Sequence, residues 1–136
     1  MAKILIIDDQ PWVSDLCMEG LVSEGHQIFA TDDIENVRKK VLSFSPNIVL
    51  LNQYLKHGFL VWDVLQDIKK QVPNLPVLIV TEFGTHPFCS RFSQADGYLE
   101  KNQTAPIEFR QKISALLGKN QVSREDESHL SQNVLQ

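Results

Sequence analysis

The sequence has little of what marks several large classes of protein. It has two cysteines, Cys17 and Cys89, which are too few for a disulfide framework and lack the spacing of metal ligands. No apolar run approaches the ~20 residues that a helix needs to span a bilayer. No signal-peptide pattern follows Met1. We therefore expect a cytoplasmic protein without a membrane-spanning segment.

Positive charge is also limited. The net charge is −4, and no extended run rich in lysine and arginine occurs. This balance argues against a nucleic-acid partner. Apolar residues make up 43% of the 136 positions, which is enough for one globular domain with its own core.

Short apolar runs alternate with helical patterns along the chain. The central run, Ile48–Leu51, is apolar at every position, which is typical of a strand covered on both faces. The alternation predicts an α/β fold with a doubly wound, five-stranded parallel sheet and helices on both faces. The predicted strands are Lys3–Ile7, His26–Ala30, Asn47–Asn52, Val77–Val80 and Tyr98–Glu100. The predicted helices are one after Pro11, then Ile34–Phe44, Val61–Ile68, a short one at Phe88–Ser93, and one from Pro106 to Gly118.

Polar residues stand where four of these strands end. They are Asp8 with Asp9, Asn52, Thr81 and Lys101. In an open parallel sheet, ligands bind in the crevice beyond the carboxyl ends of the strands. We therefore expect these side chains to share one site.

Four stretches in this order resemble the receiver domain of bacterial response regulators in two-component signalling. They are Asp8-Asp9, PNIVLLN ending at Asn52, LPVLIVT ending at Thr81, and ADGYLEK ending at Lys101. The resemblance covers about residues 1–118. It implies a flavodoxin-like (βα)5 fold with strand order 2-1-3-4-5, one of the two common doubly wound orders.

The resemblance implies a role for each residue of the site. Asp8 and Asp9 match the acids that hold Mg²⁺, and Asn52 matches the residue that accepts the phosphoryl group. The Tyr54 backbone and Asn52 would complete a weak Mg²⁺ site.

Three further positions match the part of the family's site that responds to phosphorylation. Thr81 and Lys101 match the residues that contact the bound phosphoryl group. Tyr98 matches the aromatic residue that switches between exposed and buried rotamers. Glu82 replaces the small residue that usually follows Thr81. Its carboxylate either lies at the phosphoryl site, where it obstructs that site or takes the place of the missing anion beside Lys101, or is an exposed charge.

Departures from the family pattern concern the phosphoryl chemistry. Asn52 carries a neutral amide, which is a poor nucleophile, and it removes one charged ligand from a cation that prefers carboxylate oxygen. Asn102 stands where proline usually follows the lysine, and Lys56 stands where proline usually follows Leu55. Together these changes predict an atypical receiver, or pseudo-receiver.

The first functional hypothesis is a phosphorelay-type signalling module that acts by protein–protein contact, independently of phosphorylation. Its contact face would be the fourth helix, fifth strand and fifth helix, including Tyr98. We expect no catalytic residues and no enzymatic activity. We expect no cofactor, or weakly bound Mg²⁺ at most. A histidine kinase or another signalling protein is the expected partner, and a homodimer remains open.

Two alternatives remain. One is a working phosphoacceptor receiver in which Asn52 is an engineered replacement of the aspartate. The other is a flavodoxin-like cofactor-binding protein. It is disfavoured because the turn Asp8-Asp9-Gln10-Pro11 is acidic and has no glycine to approach a phosphate.

Residues 119–136 differ in composition from the domain before them. The segment is polar and carries one charge cluster, Arg124-Glu125-Asp126-Glu127. It has few apolar residues to offset the entropy of ordering a chain. We predict that it is a disordered tail and that the domain ends near Gly118.

Overall fold

The computed structural model describes residues 2–8, 15–53, 55, 58–81, 95–100 and 107–118, with residues 15–18 described by their backbone only. The predicted helix at 88–93, the segment 119–136 and the site residues Asp9, Tyr54, Glu82 and Lys101 lie outside these ranges.

Five parallel strands form one sheet. They are β1 (Lys3–Ile7), β2 (Gln27–Thr31), β3 (Ile48–Asn52), β4 (Val77–Thr81) and β5 (Gly97–Glu100). Their order in the sheet is β2-β1-β3-β4-β5, and every neighbouring pair is parallel. The predicted fold class and strand order are therefore confirmed.

Helices cover both faces of this sheet. They are α1 (Asp15–Ser23), α2 (Val37–Phe44), α3 (Val61–Gln71) and a C-terminal helix at residues 107–118. Across the described ranges, no helix has both the length and the apolar character needed to cross a membrane.

The start of the second helix differs from the sequence prediction. The turn Ile34–Asn36 is a 3₁₀ helix, and α2 begins only at Val37. No side chain caps either start. The Asp33 carboxylate instead accepts a hydrogen bond from Asn36 Nδ2 at 2.8 Å, and the Asp33 N–H donates to Thr31 Oγ1 at 3.1 Å. The Thr31 and Asp33 side-chain oxygens, which could have capped the helix, are thus used inside the turn, which tightens it.

The core has two parts, one on each side of the sheet. Alternate residues of the strands face α2 and α3 on one side, and α1 and the C-terminal helix on the other. All five residues of β3 and all five of β4 are buried. Phe109, Ile113 and Leu117 pack the C-terminal helix onto the sheet, as their spacing predicts.

An ion pair links α3, β4 and β5 at the amino ends of the strands. Lys69 Nζ lies 2.7 Å from Asp96 Oδ2 and donates to the Leu75 carbonyl, also at 2.7 Å. The same Asp96 oxygen accepts from the Val77 N–H at 2.8 Å. These bonds fix the starts of β4 and β5 relative to each other, and thereby the positions of their carboxyl ends.

Candidate functional site

The carboxyl ends of three central strands lie side by side. Ile7 pairs with Leu51 and Asn52 pairs with Val80, so β1, β3 and β4 end at one edge of the sheet. Asp8 follows β1 directly, and its N–H donates to the Thr31 carbonyl of β2 at 3.1 Å. The structure therefore brings Asp8, Asn52 and Thr81 to one edge, as expected from the sequence.

Asp8 and Asn52 are joined by a short side-chain hydrogen bond. Asn52 Nδ2 donates to Asp8 Oδ1 at 2.7 Å, and Asn52 is only 3% exposed. The orientation of the amide follows from chemistry, because the other orientation would place two acceptor oxygens against each other. A bond to a charged acceptor in a partly buried place is stronger than an ordinary neutral one.

This arrangement does not fit Mg²⁺ as it stands. Magnesium takes oxygen ligands in near-ideal octahedral geometry, whereas the Asn52 atom beside Asp8 is a nitrogen that carries protons. To offer its oxygen, the amide would have to rotate and lose the bond to Asp8. Among the described residues, no group of three or more histidine, cysteine, aspartate or glutamate side chains is placed to hold a metal ion.

Thr81 is held at the end of β4. It is 2% exposed, and Oγ1 lies 3.4 Å from the Leu99 carbonyl of β5 in donating geometry. A hydrogen bond of that length is weak. The hydroxyl could therefore leave this carbonyl at little cost, which is what the predicted phosphoryl contact would require.

Tyr98 lies in β5 on the side of the sheet that faces α3. Its ring is half-buried and packs against the core on that side. From the opposite side, Lys112 Nζ donates to the Tyr98 carbonyl and connects β5 to the C-terminal helix. The predicted surface role of Tyr98 stays a prediction, and the packing shows that part of the ring already contributes to the core.

The direct bond between Asn52 and Asp8 is the feature that the sequence analysis missed. From the sequence, Asn52 was expected to be a missing nucleophile and a weakened ligand, and not a hydrogen-bond donor. The signal was present, because adjacent strands of the predicted order ended in a carboxylate and an amide. An asparagine amide that lies close to a carboxylate donates a hydrogen bond to that carboxylate.

Comparisons with known proteins agree with this fold. Residues 4–114 match the family model described as "Response regulator receiver domain". The nitrogen assimilation regulatory protein NtrX of Azorhizobium caulinodans is 29% identical over 82 residues, which are 60% of this chain and 18% of that protein. The chain thus corresponds to less than a fifth of that relative's length.

Solved structures with the same architecture include NtrX from Brucella abortus. That structure matches with a TM-score of 0.81 and 25% sequence identity. The match covers 93% of this chain and 29% of the Brucella chain. The response regulator TrrA from Thermotoga maritima, solved in complex with Mg²⁺ and BeF, has a TM-score of 0.73 at 26% identity. That match covers 85% of this chain and 99% of TrrA. The family model spans most of the chain, and the chain belongs to the family of response regulator receiver domains.

Proposed function

We propose that this receiver domain transmits its signal by protein contact, without a phosphoryl group on residue 52. The observation that carries the proposal is the 2.7 Å bond from Asn52 Nδ2 to Asp8 Oδ1. The amide is a poor nucleophile for phosphorus. Its N–H group also supplies Asp8 with positive partial charge, which a bound cation would supply in a working receiver.

The balance of charge at the strand ends supports the same proposal. A carboxylate at position 52 would face Asp8 as a like charge and would need a cation between the two. The neutral amide removes that repulsion, so the pair is stable without metal. We therefore propose that Mg²⁺ binds weakly or not at all, and that Asp9 and the Tyr54 carbonyl do not compensate for the lost charge.

The proposed contact face includes β5 and the C-terminal helix. Tyr98 is half-buried there, and the Lys112 bond to its carbonyl ties the strand to the helix. A partner that binds across both elements would therefore meet one connected surface. A histidine kinase or another signalling protein is the partner class that the family suggests.

Phosphorylation is tested by incubating the protein with Mg²⁺ and acetyl phosphate and recording its intact mass. We expect no phosphate adduct. The double variant Asn52→Asp/Glu82→Ala is the positive control, because it restores the usual acceptor and removes the expected obstruction. A stoichiometric, alkali-labile adduct on the unaltered protein would refute the proposal.

The contact face is tested by affinity capture from the native cell followed by mass spectrometry. We expect the Tyr98→Ala variant to fail to capture a partner that uses this face. The Val22→Ala variant should still capture that partner, because Val22 is a residue of α1 that is 59% exposed and lies outside the face. Equal loss from both variants would argue against this face.

A second candidate is a phosphoacceptor receiver that has lost only its aspartate by substitution. Asp8 and Thr81 stand at the strand ends that such a receiver uses, and TrrA, at 26% identity, was solved with Mg²⁺ and BeF. In that case a histidine kinase would be the phosphodonor. The genomic codon for residue 52 decides between the two candidates, since an aspartate codon would establish the second.

A further inference from the structure

The outer edge of β2 carries backbone N–H and C=O groups that are not paired with another strand in the described part of the sheet. In the described part of the sheet, β2 has one neighbour, β1. The Gln27 N–H donates to the Ala2 carbonyl at 2.8 Å, and the Thr31 carbonyl accepts from Asp8 N–H. Backbone groups alternate in direction along a strand. Gln27, Phe29 and Thr31 therefore face β1, while Ile28 and Ala30 direct their N–H and C=O groups outward.

Aromatic and basic side chains lie beside this edge. The Phe29 ring is 5.5 Å from the Phe44 ring of α2, centroid to centroid, and Phe29 is 39% exposed. Lys40 Nζ lies 5.4 Å from the Phe29 centroid, and Lys3 Nζ lies 5.6 Å from that of Phe44. We call these four side chains, together with the outward backbone groups of Ile28 and Ala30, the β2 edge patch.

Lysines beside an exposed strand can serve simply to prevent aggregation. Two features go beyond that protective role. The patch exposes a large aromatic side chain, and β2 pairs in unbroken register with β1, without a proline or bulge to twist its edge away. The strand is therefore available for pairing.

The charge of the patch decides which occupant fits. A second copy of the chain, paired through a two-fold axis, would bring the same lysines of both copies to one interface. Like charges across paired strands are unfavourable. A segment with carboxylates on the side chains that face Lys3 and Lys40 would instead be attracted.

We propose that the β2 edge patch binds an extended, acidic segment of a partner protein by strand addition. The backbone of the segment would bond to the outward groups of Ile28 and Ala30. Its acidic side chains would lie on the α2 side, beside Phe29 and Lys40. Its alternate side chains would point to the α1 side, where apolar residues fit best beside Ile28. This surface is separate from the strand-end site and does not depend on phosphorylation.

The test uses the full chain and a blocked heptapeptide in which glutamate and valine alternate. Amide hydrogen exchange is measured by NMR as the peptide is added. We expect slower exchange at Ile28 and Ala30 and no change at Phe29, whose N–H already faces β1. A peptide with lysine in place of glutamate is the matched control and is expected not to bind.

Two pairs of variants separate backbone pairing from charge. Ala30→Pro removes an outward N–H and is expected to weaken peptide binding about three- to tenfold, whereas Ala30→Ser keeps that donor and should bind normally. Lys40→Glu is expected to weaken peptide binding about two- to fivefold. Lys70→Glu makes the same change of charge on α3 and should have little effect.

Four outcomes would overturn the proposal. The first is no binding up to millimolar peptide. The second is equal binding of the acidic and basic peptides. The third is slower exchange at Ile28 and Ala30 as the protein alone is concentrated, which would identify a second copy as the occupant. The fourth is tighter peptide binding when Glu125, Asp126 and Glu127 are neutralised to their amides, which would identify the chain's own C-terminal segment.

Discussion

The Asn52 amide and the Asp8 carboxylate are neighbours that an aspartate at position 52 would turn into a like-charged pair. Their closest atoms are 2.7 Å apart, and Asn52 is buried. Replacing one NH₂ group by an oxygen exchanges an attractive contact for a repulsive one. The identity of residue 52 therefore affects stability as well as chemistry.

We predict that Asn52→Asp lowers the melting temperature in the absence of Mg²⁺. Like charges about 4 Å apart cost about 1 kcal/mol in water and about 4 kcal/mol at an effective dielectric constant of 20. For a domain of this size, 1 kcal/mol corresponds to about 4 °C. Added Mg²⁺ should restore part of the loss in the variant and leave the unaltered protein nearly unchanged. Thermal unfolding with and without Mg²⁺ measures both effects.

The control for that experiment is Asn74→Asp, which adds the same charge at an exposed position in the loop before β4. It should unfold close to the unaltered protein and show no response to Mg²⁺. If the unaltered protein itself gains several degrees from Mg²⁺, the amide does not prevent cation binding and the interpretation of the Asp8–Asn52 pair is wrong.

Glu82 is the residue that we expect to limit what an aspartate at position 52 can restore. We predict that Asn52→Asp alone takes up phosphate slowly and that the double variant Asn52→Asp/Glu82→Ala is faster. A carboxylate near the path of the phosphoryl anion would cost about 1 to 4 kcal/mol. Since about 1.4 kcal/mol is a factor of ten, the difference in rate is about one to three orders of magnitude.

Rates of phosphorylation by acetyl phosphate are compared for Asn52→Asp, Glu82→Ala and the double variant. Glu82→Ala alone is the control for side effects of the truncation, and it should not be phosphorylated. Equal rates for Asn52→Asp and the double variant would mean that Glu82 points away from the site.

Between elements, the Lys69–Asp96 ion pair is a connection that no periodic pattern indicates. Its partners are separated by 27 positions in the sequence. The carboxylate also accepts from the N–H of Val77, a residue that is fully buried. Lys69 is 14% exposed in its side chain and Asp96 is 36% exposed. The buried N–H is therefore the part of the connection that would be costly to leave unbonded.

We predict that Asp96→Ala destabilises the domain by about 1–3 kcal/mol, because the Val77 N–H loses its acceptor. Asp96→Asn keeps an acceptor oxygen and loses only the charge, so it should cost less. Urea denaturation of both variants measures the free energies of unfolding. Equal losses would show that the ion pair, not the hydrogen bond to Val77, carries the stabilisation.

The strands and helices differ in how far the sequence predicts them. The strands were predictable because apolar runs such as Ile48–Leu51 must be buried on both faces. The start of α2 was predicted imperfectly because Asp33 can either cap a helix or bond within the turn, and only the local backbone decides. The Asn52–Asp8 bond needs the register between two strands, which the sequence does not specify at the level of single atoms.

In the sheet as a whole, the polar groups of the site lie at the carboxyl ends of the strands, and the bonds of Lys69 and Asp96 lie at the amino ends. The order β2-β1-β3-β4-β5 sets the strand ends carrying Asp8, Asn52 and Thr81 side by side. Lys69 and Asp96 lie at the opposite ends of the strands. A change at the strand-end site can therefore leave the links that hold β4 and β5 intact.

The family match, residues 4–114, ends inside the C-terminal helix, and Leu117 is the last core residue among the described positions. We therefore predict that the domain folds without residues 119–136. Ordering a residue costs roughly 1–2 kcal/mol in backbone entropy alone, and this polar segment has few apolar side chains to offset that cost. A chain ending at Gly118 should melt within about 2 °C of the full chain. As a control, a chain ending at Gln111 removes Ile113 and Leu117 from the core and should unfold at a much lower temperature. A drop of many degrees for the chain ending at Gly118 would mean that the last residues dock on the domain or join two copies of it.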